Sequence, residues 1–593
     1  MSIARLKKLT LLGPLDQKHA ALETLQDLGC MHILPLAPLP DAPEKINESG
    51  AKDAYKVLRF LGDVPKPRRQ VHRDPDFDMT SAVEQGLTLM QRIRDMGDQR
   101  DFLAHRITQV RPWGDLEFPP KEELAGNHFW FYRLPVKHRK TLDDLPMPWA
   151  ILHQDHRSLY VVLIAPDEPA DDILPAPRTH TGSLPIHELE EQLEEAEIAL
   201  EGFEAERIAQ TRYLTLMRRN LAVAETQSEL AHAEQQVLTQ DELFAVQGWV
   251  PEDQLDAIRE RTQDFALLIE DPAPDELPPT LLEQPQDRSA GVDLAMFYQV
   301  PNYNGWDPTL LLIGSFAMFF AMIVADAGYG FVILGGLLAA WAPLGRTAQT
   351  RSWRRVGLII SAATIAYGVA VGSYFGTLPP GLSALQILDL NNFSAMMLLS
   401  ILIGVAHLML ANALAAHANW GHRKAIANLG WIAALAGGLL LWLASMRDFT
   451  PVIGGGLMGL GLLTIFFFSS DRPVQHPIDW LWRLLDGGQA LAGAMGAFGD
   501  VLSYMRLFAL GLASASLAVT FNDLALTVME ALPGLGILLG VLILLIGHAL
   551  NFALALMSGV VHGLRLNYIE FYKWGLPEEG VAFRKFARKE VQE

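Results

Sequence analysis

Arg506 lies inside the apolar run Val501–Phe521, where no other side chain ionises near neutral pH. A guanidinium keeps its proton. At the centre of a bilayer it costs roughly 2.5–3.5 kcal/mol on insertion scales. A charge held at that cost points to the handling of other charges: it stabilises a carboxylate, or it bars the passage of a cation. A second polar set lies in and just after Leu535–Leu564, a run without Asp, Glu, Lys or Arg. His548, Asn551, Ser558, His562 and then Arg565 fall within an arc of about 100° of one helical wheel, with Glu570 one turn further on. On the first run Asp500, Ser503, Arg506, Leu510 and Ser514 fall within about 120°. Gly499, Ala509, Gly511 and Ala513 beside them let another helix approach closely. Lipid rejects such stripes, so they face protein or water. Two readings follow, hydrogen bonds between helices or the walls of an ion path. Asp326, before Ala-Gly-Tyr-Gly, reads as a turn or cap residue, with ion access as its second reading. His407 and Asn412 read as packing.

Long apolar helices must carry these residues. Of 593 residues 50% are hydrophobic, and they are unevenly spread. Residues 1–306 are rich in charge, whereas 307–575 are apolar runs separated by short polar loops. Eight spans are expected, at about 309–325, 327–343, 356–375, 393–415, 425–445, 452–469, 488–521 and 535–572. The last two exceed the ~20 residues a bilayer needs, so they are expected to be long and tilted. Lys and Arg gather in alternate loops (Arg346, Arg351, Arg354 and Arg355; Arg423 and Lys424; Arg472 and Arg483; then the tail with Lys573, Arg584, Lys585, Arg588 and Lys589), and the opposite loops hold little beyond Arg447. That asymmetry and the even count put both termini in the cytoplasm. The chain is thus expected to be a multi-pass integral membrane protein.

The soluble half, 1–270, reads as an α/β domain. Strand-like runs are Leu9–Leu12, His32–Leu36, His128–Leu134, Leu159–Ala165, Phe244–Val250 and Phe265–Ile269. Helix-like runs are Gln17–Leu28, Thr80–Val110 and Ile186–Leu238. The last is too polar for a core and predicts a helical hairpin or coiled-coil arm packed against 80–110. A Pro-rich linker, 271–306 (Pro272, Pro274, Pro278, Pro279, Pro285), leads to the membrane domain 307–575, and 576–593 is a basic tail.

Several functions are excluded. A net charge of −20, with acid concentrated at Glu188, Glu190, Glu191, Glu194 and Glu195, opposes nucleic-acid binding. Cys30 is the one cysteine, so no intrachain disulfide forms and no zinc cluster is indicated. The N-terminus lacks the apolar core of a secretory signal. No G-x-x-x-x-G-K-[ST] occurs, so the chain is not expected to hydrolyse nucleotide. Gly454-Gly-Gly456-Leu-Met-Gly459 matches a dinucleotide fingerprint only formally; it opens an apolar span and reads as helix packing. His187-Glu188 lacks a second His at metalloprotease spacing. Neither cofactor nor metal is expected.

Several separated motifs, in order, resemble one family. Ser503-Tyr-Met-Arg506-Leu-Phe-Ala-Leu-Gly-Leu-Ala resembles the arginine-bearing helix of the large membrane subunit of rotary V/A-type ATPases, subunit a or subunit I. Val561-His562-Gly-Leu-Arg565-Leu-Asn-Tyr-Ile-Glu570-Phe-Tyr resembles its second arginine motif. Gln247-Gly-Trp249-Val-Pro251 resembles the end of the family's cytoplasmic domain. Pro278-Pro-Thr-Leu-Leu and Tyr298-Gln-Val-Pro301-Asn-Tyr-Asn-Gly-Trp-Asp307-Pro-Thr309 resemble its entry into the membrane. Asp326-Ala-Gly-Tyr-Gly330 is similar to its first hairpin. Two departures stand out: Ser514 and Ala555 occupy positions where relatives often carry His and an acid, so relays assigned there do not transfer.

The resemblance implies a stator subunit facing a rotating ring of proteolipids, each with a mid-membrane carboxylate. Arg506 would be the essential cation and Arg565 an auxiliary one. His562 and Glu570 would line the cytoplasmic half-channel; His548, Asn551 and Ser558 the outer one, with Ser503, Ser514 and Asp326 as further lining. Partners implied are the ring, peripheral-stalk helices, the soluble ATPase sector with its central stalk, and lipid. The rival classes are a secondary transporter with Arg506 at its substrate site, and a non-conducting scaffold. No repeat relates the two sets of four spans, as a carrier would often show.

Overall fold

The computed structural model describes residues 3–36, 48–116, 124–170, 173–179, 185–273, 276–283, 289–447, 450–470, 472, 476–532, 534–576 and 578–589. Pro274 and Pro285 of the linker, the Arg447 side chain and the tail beyond Lys589 lie outside them. The strands are β1 (Leu6–Pro14), β2 (His32–Leu34), β3 (His128–Pro135), β4 (Trp149–Gln154), β5 (Ser158–Ala165), β6 (Leu238–Gln240), β7 (Leu243–Pro251) and β8 (Ala266–Glu270). The helices before the apolar set are α1 (Lys18–Leu28), α2 (Glu48–Gly62), α3 (Met79–Val110), α4 (Ile186–Gln210), α5 (Leu214–Gln236), α6 (Leu255–Arg261) and α7 (Ser289–Met296). That set comprises α8 (Thr309–Val324), α9 (Ala327–Ala339), α10 (Ala348–Val371), α11 (Phe393–Ala418), α12 (Arg423–Arg447), α13 (Val452–Phe468), α14 (Pro477–Ser503), α15 (Met505–Ala531) and α16 (Leu535–Arg565). The chain divides into two compact units. One holds 1–18, 30–34 and 239–586; the other holds 19–29, 35–238 and 587–593.

The second unit is built on long helices. Asp78 caps α3 by accepting from the amides of Thr80 and Ser81, and the helix gives way where Pro112 follows Arg111. α4 packs along α3 through Leu103, Ile107, Val110, Leu189 and Ala196. The helix-like run 186–238, expected to form a helical hairpin or coiled-coil arm, is interrupted at Thr211–Tyr213. The buried Thr211 hydroxyl bonds the Ile208 carbonyl and accepts the Arg68 amide, while Gln70 donates to the Thr211 carbonyl and accepts from the Thr215 amide. Residues 68–70 thus take up backbone groups that a continuous helix would bond internally. Beyond the break α5 packs on α2, a helix the sequence reading missed, through Val57, Leu61, Leu214 and Met217. The antiparallel sheet β3–β5–β4 completes the unit. β5 reads as an unbroken apolar run because both its faces are covered, one by Trp130 and Leu134, the other by Trp113 and Phe131.

In the first unit β1 is central to an antiparallel sheet, paired along its whole length with β7 and on its other side with β8; β2 lies outside β7. Leu6 and Trp249 pack with Leu281, Tyr303 and Phe583. The chain after the last helix returns along this sheet. The Phe583 amide bonds the Thr280 carbonyl (3.1 Å), the Arg584 amide bonds His32 Nδ1 (2.9 Å) and the Phe586 amide bonds the Met31 carbonyl (2.8 Å).

Among the described residues five helical stretches are long and apolar enough to cross a membrane: Ala348–Val371, Phe393–Ala418, Arg423–Met446, Pro477–Ala531 and Leu535–Gly575. Thr309–Val324, Ala327–Ala339 and Val452–Phe468 are shorter apolar helices. Without a hydrophobic drive between helices in lipid, small residues set the contacts. A Cβ on Gly437 would lie 2.3 Å from the Met458 nitrogen, and one on Gly461 2.5 Å from that of Ala434, so α12 and α13 touch backbone to backbone. Gly454 of the formal nucleotide motif belongs to the same seam. α8 and α9 do not close a tight hairpin. They scarcely touch each other, and α10 packs along both, because the turn residue Asp326 binds the loop after α10.

Gly461→Val should separate α12 from α13 and lower the thermal midpoint of the purified protein by several degrees; Gly456→Val, which meets open space, should leave it within about a degree. Burial and the Arg584 guanidinium hold the His32 ring below its usual 6.5. Its contribution is therefore complete above that pH and is lost as pH falls through the depressed folded value. Hydrogen exchange at Arg584 and Phe586, corrected for intrinsic rates, should accelerate below pH 6.5.

Candidate functional site

Pro477–Ala531 is one apolar helical stretch with a break at Tyr504, and Arg506 follows the break at once, close to the middle of the stretch. The wheel on which Asp500, Ser503, Arg506 and Ser514 share one stripe assumes an unbroken helix. The ladder instead tightens, with the Tyr504 amide on the Val501 carbonyl and the Leu507 amide on the Tyr504 carbonyl. The stripe is divided accordingly. Asp500 turns to Lys573 and to the Trp574 indole, both at 2.8 Å; Ser503 bonds back to the Gly499 carbonyl at 3.2 Å; Ser514 is buried against Asn551.

A second irregularity follows Arg565. Residues Leu566–Phe571 form a π-helical segment. Its i→i+5 pattern stacks residues five apart, so Arg565 and Glu570 share a face, Nε to Oε1 4.0 Å. An α-helix would have turned them apart. Glu570 is 2% exposed and Arg565 about half-exposed. Arg506, Arg565 and Ser503 all interact with Glu570, and both guanidiniums act on His562. Five of the expected site residues therefore meet at one place. Three polar atoms there, Arg506 Nη1, His562 Nδ1 and Glu570 Oε2, are buried without a hydrogen-bond partner among the described residues.

His407 locks both irregularities. Its Nδ1 bonds the Tyr504 hydroxyl at 2.8 Å, and its ring stacks on Phe571 of the π segment at 4.2 Å. Gly404, one turn before it, leaves room for the Tyr504 ring. Asn567 accepts from Ser315 at 2.5 Å and holds the π segment to α8. The packing role expected of His407 stands; Tyr504 and Asn567 escaped the sequence reading, because neither lies on a polar stripe.

His548 and Asn551 lie elsewhere, against α9 and α15. His548 Nδ1 meets the Tyr329 hydroxyl (2.9 Å) and Nε2 meets Asn522 Oδ1 (3.0 Å). Asn551 donates to Tyr329 Oη (3.0 Å) and to the Ser514 carbonyl (2.8 Å). Ser558 is half-buried on α16 between the two groups. Asp326 caps α9 through the Tyr329 amide (3.0 Å) and accepts from the Ser373 hydroxyl (2.6 Å) and the Phe375 and Gly376 amides (3.0 Å each). It is the buried cap of the first reading, with its oxygens occupied. Of the small residues beside Arg506, Gly511 meets the Met322 carbonyl of α8, but Ala509 and Ala513 stay exposed, with Ser516, and Gly499 faces open space.

The fold and this cluster define a protein with long apolar helices in which two guanidiniums, an imidazole and a carboxylate converge. No family model matches the chain. Its curated homologues are V-type and A-type ATP synthase subunit I proteins, in agreement with the motifs. The V-type subunit I of Chlamydia trachomatis is 24% identical, with 95% of each chain covered. That of Borreliella burgdorferi is 23% identical over 99% of each. The A-type subunit I of Methanocaldococcus jannaschii is 28% identical over 58% of this chain and 55% of its own. A solved cytoplasmic N-terminal domain of subunit I, homolog of subunit a, of V-ATPase aligns with 44% of this chain and 99% of that one at 16% identity, with a TM-score of 0.23, too low to carry an argument.

Replacing Asp326 by Ala strips the acceptor from the buried Tyr329 amide, the part-buried Phe375 and Gly376 amides and the buried Ser373 hydroxyl. The loss should be about 2–4 kcal/mol, read as a lower thermal midpoint and faster exchange at Phe375 and Gly376.

Proposed function

We propose that this chain is the ion-translocating stator subunit of a rotary V/A-type ATPase or ATP synthase. Its apolar half then crosses the membrane eight times with both termini cytoplasmic, and Arg506 faces a ring of proteolipids that each carry a mid-membrane carboxylate. The observation that carries this reading is the group of three unpartnered polar atoms on Arg506, His562 and Glu570. Buried polar atoms are nearly always bonded, so three at one place fit a site completed by a group from outside the chain. The open small-residue face at Ala509, Ala513 and Ser516 lets a partner helix come close beside Arg506.

A fixed cation within ~4–6 Å lowers a carboxylate's pKa by about 1–3 units. A protonated ring carboxyl arriving at Arg506 therefore releases its proton, and the guanidinium bars direct leakage between two offset half-channels. Arg565 is the auxiliary cation, held by Glu570. Glu570, His562 and Ser503 line the cytoplasmic path; His548, Asn551, Ser514 and Ser558 line the outer one, and Asp326 anchors its mouth. Lys is a poor replacement for Arg506, because it sheds its proton more readily on burial and lacks the planar fork. The coupling ion is the proton, or sodium where the ring carries a sodium site. ATP is handled by partner subunits of the soluble sector, and the domain 1–270 grips peripheral-stalk helices so that the ring turns against it.

In vesicles containing the whole complex, Arg506→Ala should abolish ATP-driven proton uptake, Arg506→Lys should leave under a tenth, and Arg565→Ala should reduce it only several-fold. Uptake by Arg506→Ala at the wild-type rate would sink the proposal.

A further inference from the structure

We propose that Tyr329 is a positioning residue of the outer half-channel: its hydroxyl links the half-exposed His548–Asn522 pair to the buried Asn551–Ser514 pair in a one-way hydrogen-bond chain. This deepens the reading above and rests on it for the word channel. Tyr329 entered above only through its place in Asp326-Ala-Gly-Tyr-Gly330, and Asn522 not at all.

The direction of the chain follows from its two ends, since a backbone carbonyl only accepts. At one end Asn522 Nδ2 donates to the Phe375 carbonyl at 2.8 Å, which turns Asn522 Oδ1 toward His548. An amide oxygen also only accepts, so the hydrogen between them sits on His548 Nε2. At the other end Asn551 Nδ2 donates to the Ser514 carbonyl, and its second N–H goes to Tyr329 Oη. The Tyr329 oxygen thus receives from Asn551, and its own hydrogen goes to His548 Nδ1 at 2.9 Å. Every link has one donor and one acceptor, and neither amide can flip without setting its oxygen against a carbonyl oxygen. The imidazole is held as the neutral Nε2–H tautomer.

The surroundings keep it so. Beside His548 and Tyr329 stand aromatic rings, Phe375 at 5.6 Å from the imidazole and Phe552 at 5.5 Å from the phenol, which offer no acceptor to a redirected hydroxyl. The charged group whose field reaches His548 is Asp326, and its oxygens are already bonded to Tyr329 N, Ser373, Phe375 N and Gly376 N. The same loop therefore carries both the Phe375 carbonyl that ends the chain and the amides that hold Asp326. The consequence for transport is electrostatic. An imidazolium at this place would repel incoming cations and add to the positive field of Arg506. A fixed neutral ring presents an oriented dipole along the path and traps no proton.

Two measurements on the whole reconstituted complex test this. In the wild type, the 15N signals of His548, assigned by their loss in His548→Gln, should show the Nε2–H tautomer at pH 7; a Nδ1–H tautomer or an imidazolium there overturns the proposal. In Tyr329→Phe, which keeps the ring and removes only the hydroxyl, the tautomer signature should become mixed and ATP-driven proton uptake should fall about 3–10-fold. Should Tyr329→Phe fail to assemble, Asn522→Ala cuts the same chain at its other end and should give the same mixed signature. Wild-type uptake together with an unchanged His548 signal in either variant refutes the role of Tyr329. If Arg506→Ala is inactive in that case, the stator reading survives; if Arg506→Ala also pumps, the stator reading itself has failed.

Discussion

A guanidinium in an apolar helix is the constraint around which this molecule is organised. Its burial is unfavourable unless a compensating group is brought to it, and the chain brings one carboxylate, Glu570, from the turn beyond α16, together with the like-charged Arg565 and with His562 from the far end of that helix. The compensation is incomplete, since the cluster holds two arginines against one carboxylate and leaves buried polar atoms unpaired. Removing one partner of a buried charge set is strongly destabilising, whereas an external carboxylate would complete it.

Two departures from regular helix make the cluster possible. The break at Tyr504 re-aims the stretch that carries Arg506, and the π segment turns Glu570 onto the face of Arg565. Neither would persist without support, because each gives up regular backbone bonds in apolar surroundings. His407 supplies that support to both, through one hydrogen bond and one stacked ring. A residue that reads as simple packing is thereby the common brace of the two helices that meet at the site.

The outer group of polar residues obeys a different rule. There each donor has an acceptor, and the network is anchored at backbone carbonyls and at the cap of α9. Satisfied networks are rigid. Under the proposed function this contrast is useful: a fixed, neutral entrance leads to an unsaturated charge cluster where exchange takes place.

Much of this was legible in the residues. The apolar runs, six strands and the presence of Arg506, Arg565, His562 and Glu570 in apolar helices follow from local pattern, because helix and strand periods and charge in apolar sequence are local properties; the seventh run, expected at 488–521, extends over Pro477–Ala531. The motifs also pointed to the subunit I proteins that the chain resembles along its length. The place of the helix break at Thr211, the missed α2 and the division of the polar stripe at Tyr504 were not legible. Each depends on a group distant in sequence: residues 68–70 at Thr211, α5 for α2, His407 for Tyr504. Sequence alone determined which side chains are ionisable within apolar helices; tertiary structure decided which of them meet, because a helical wheel carries no information about a break, a π turn or the partner that holds it.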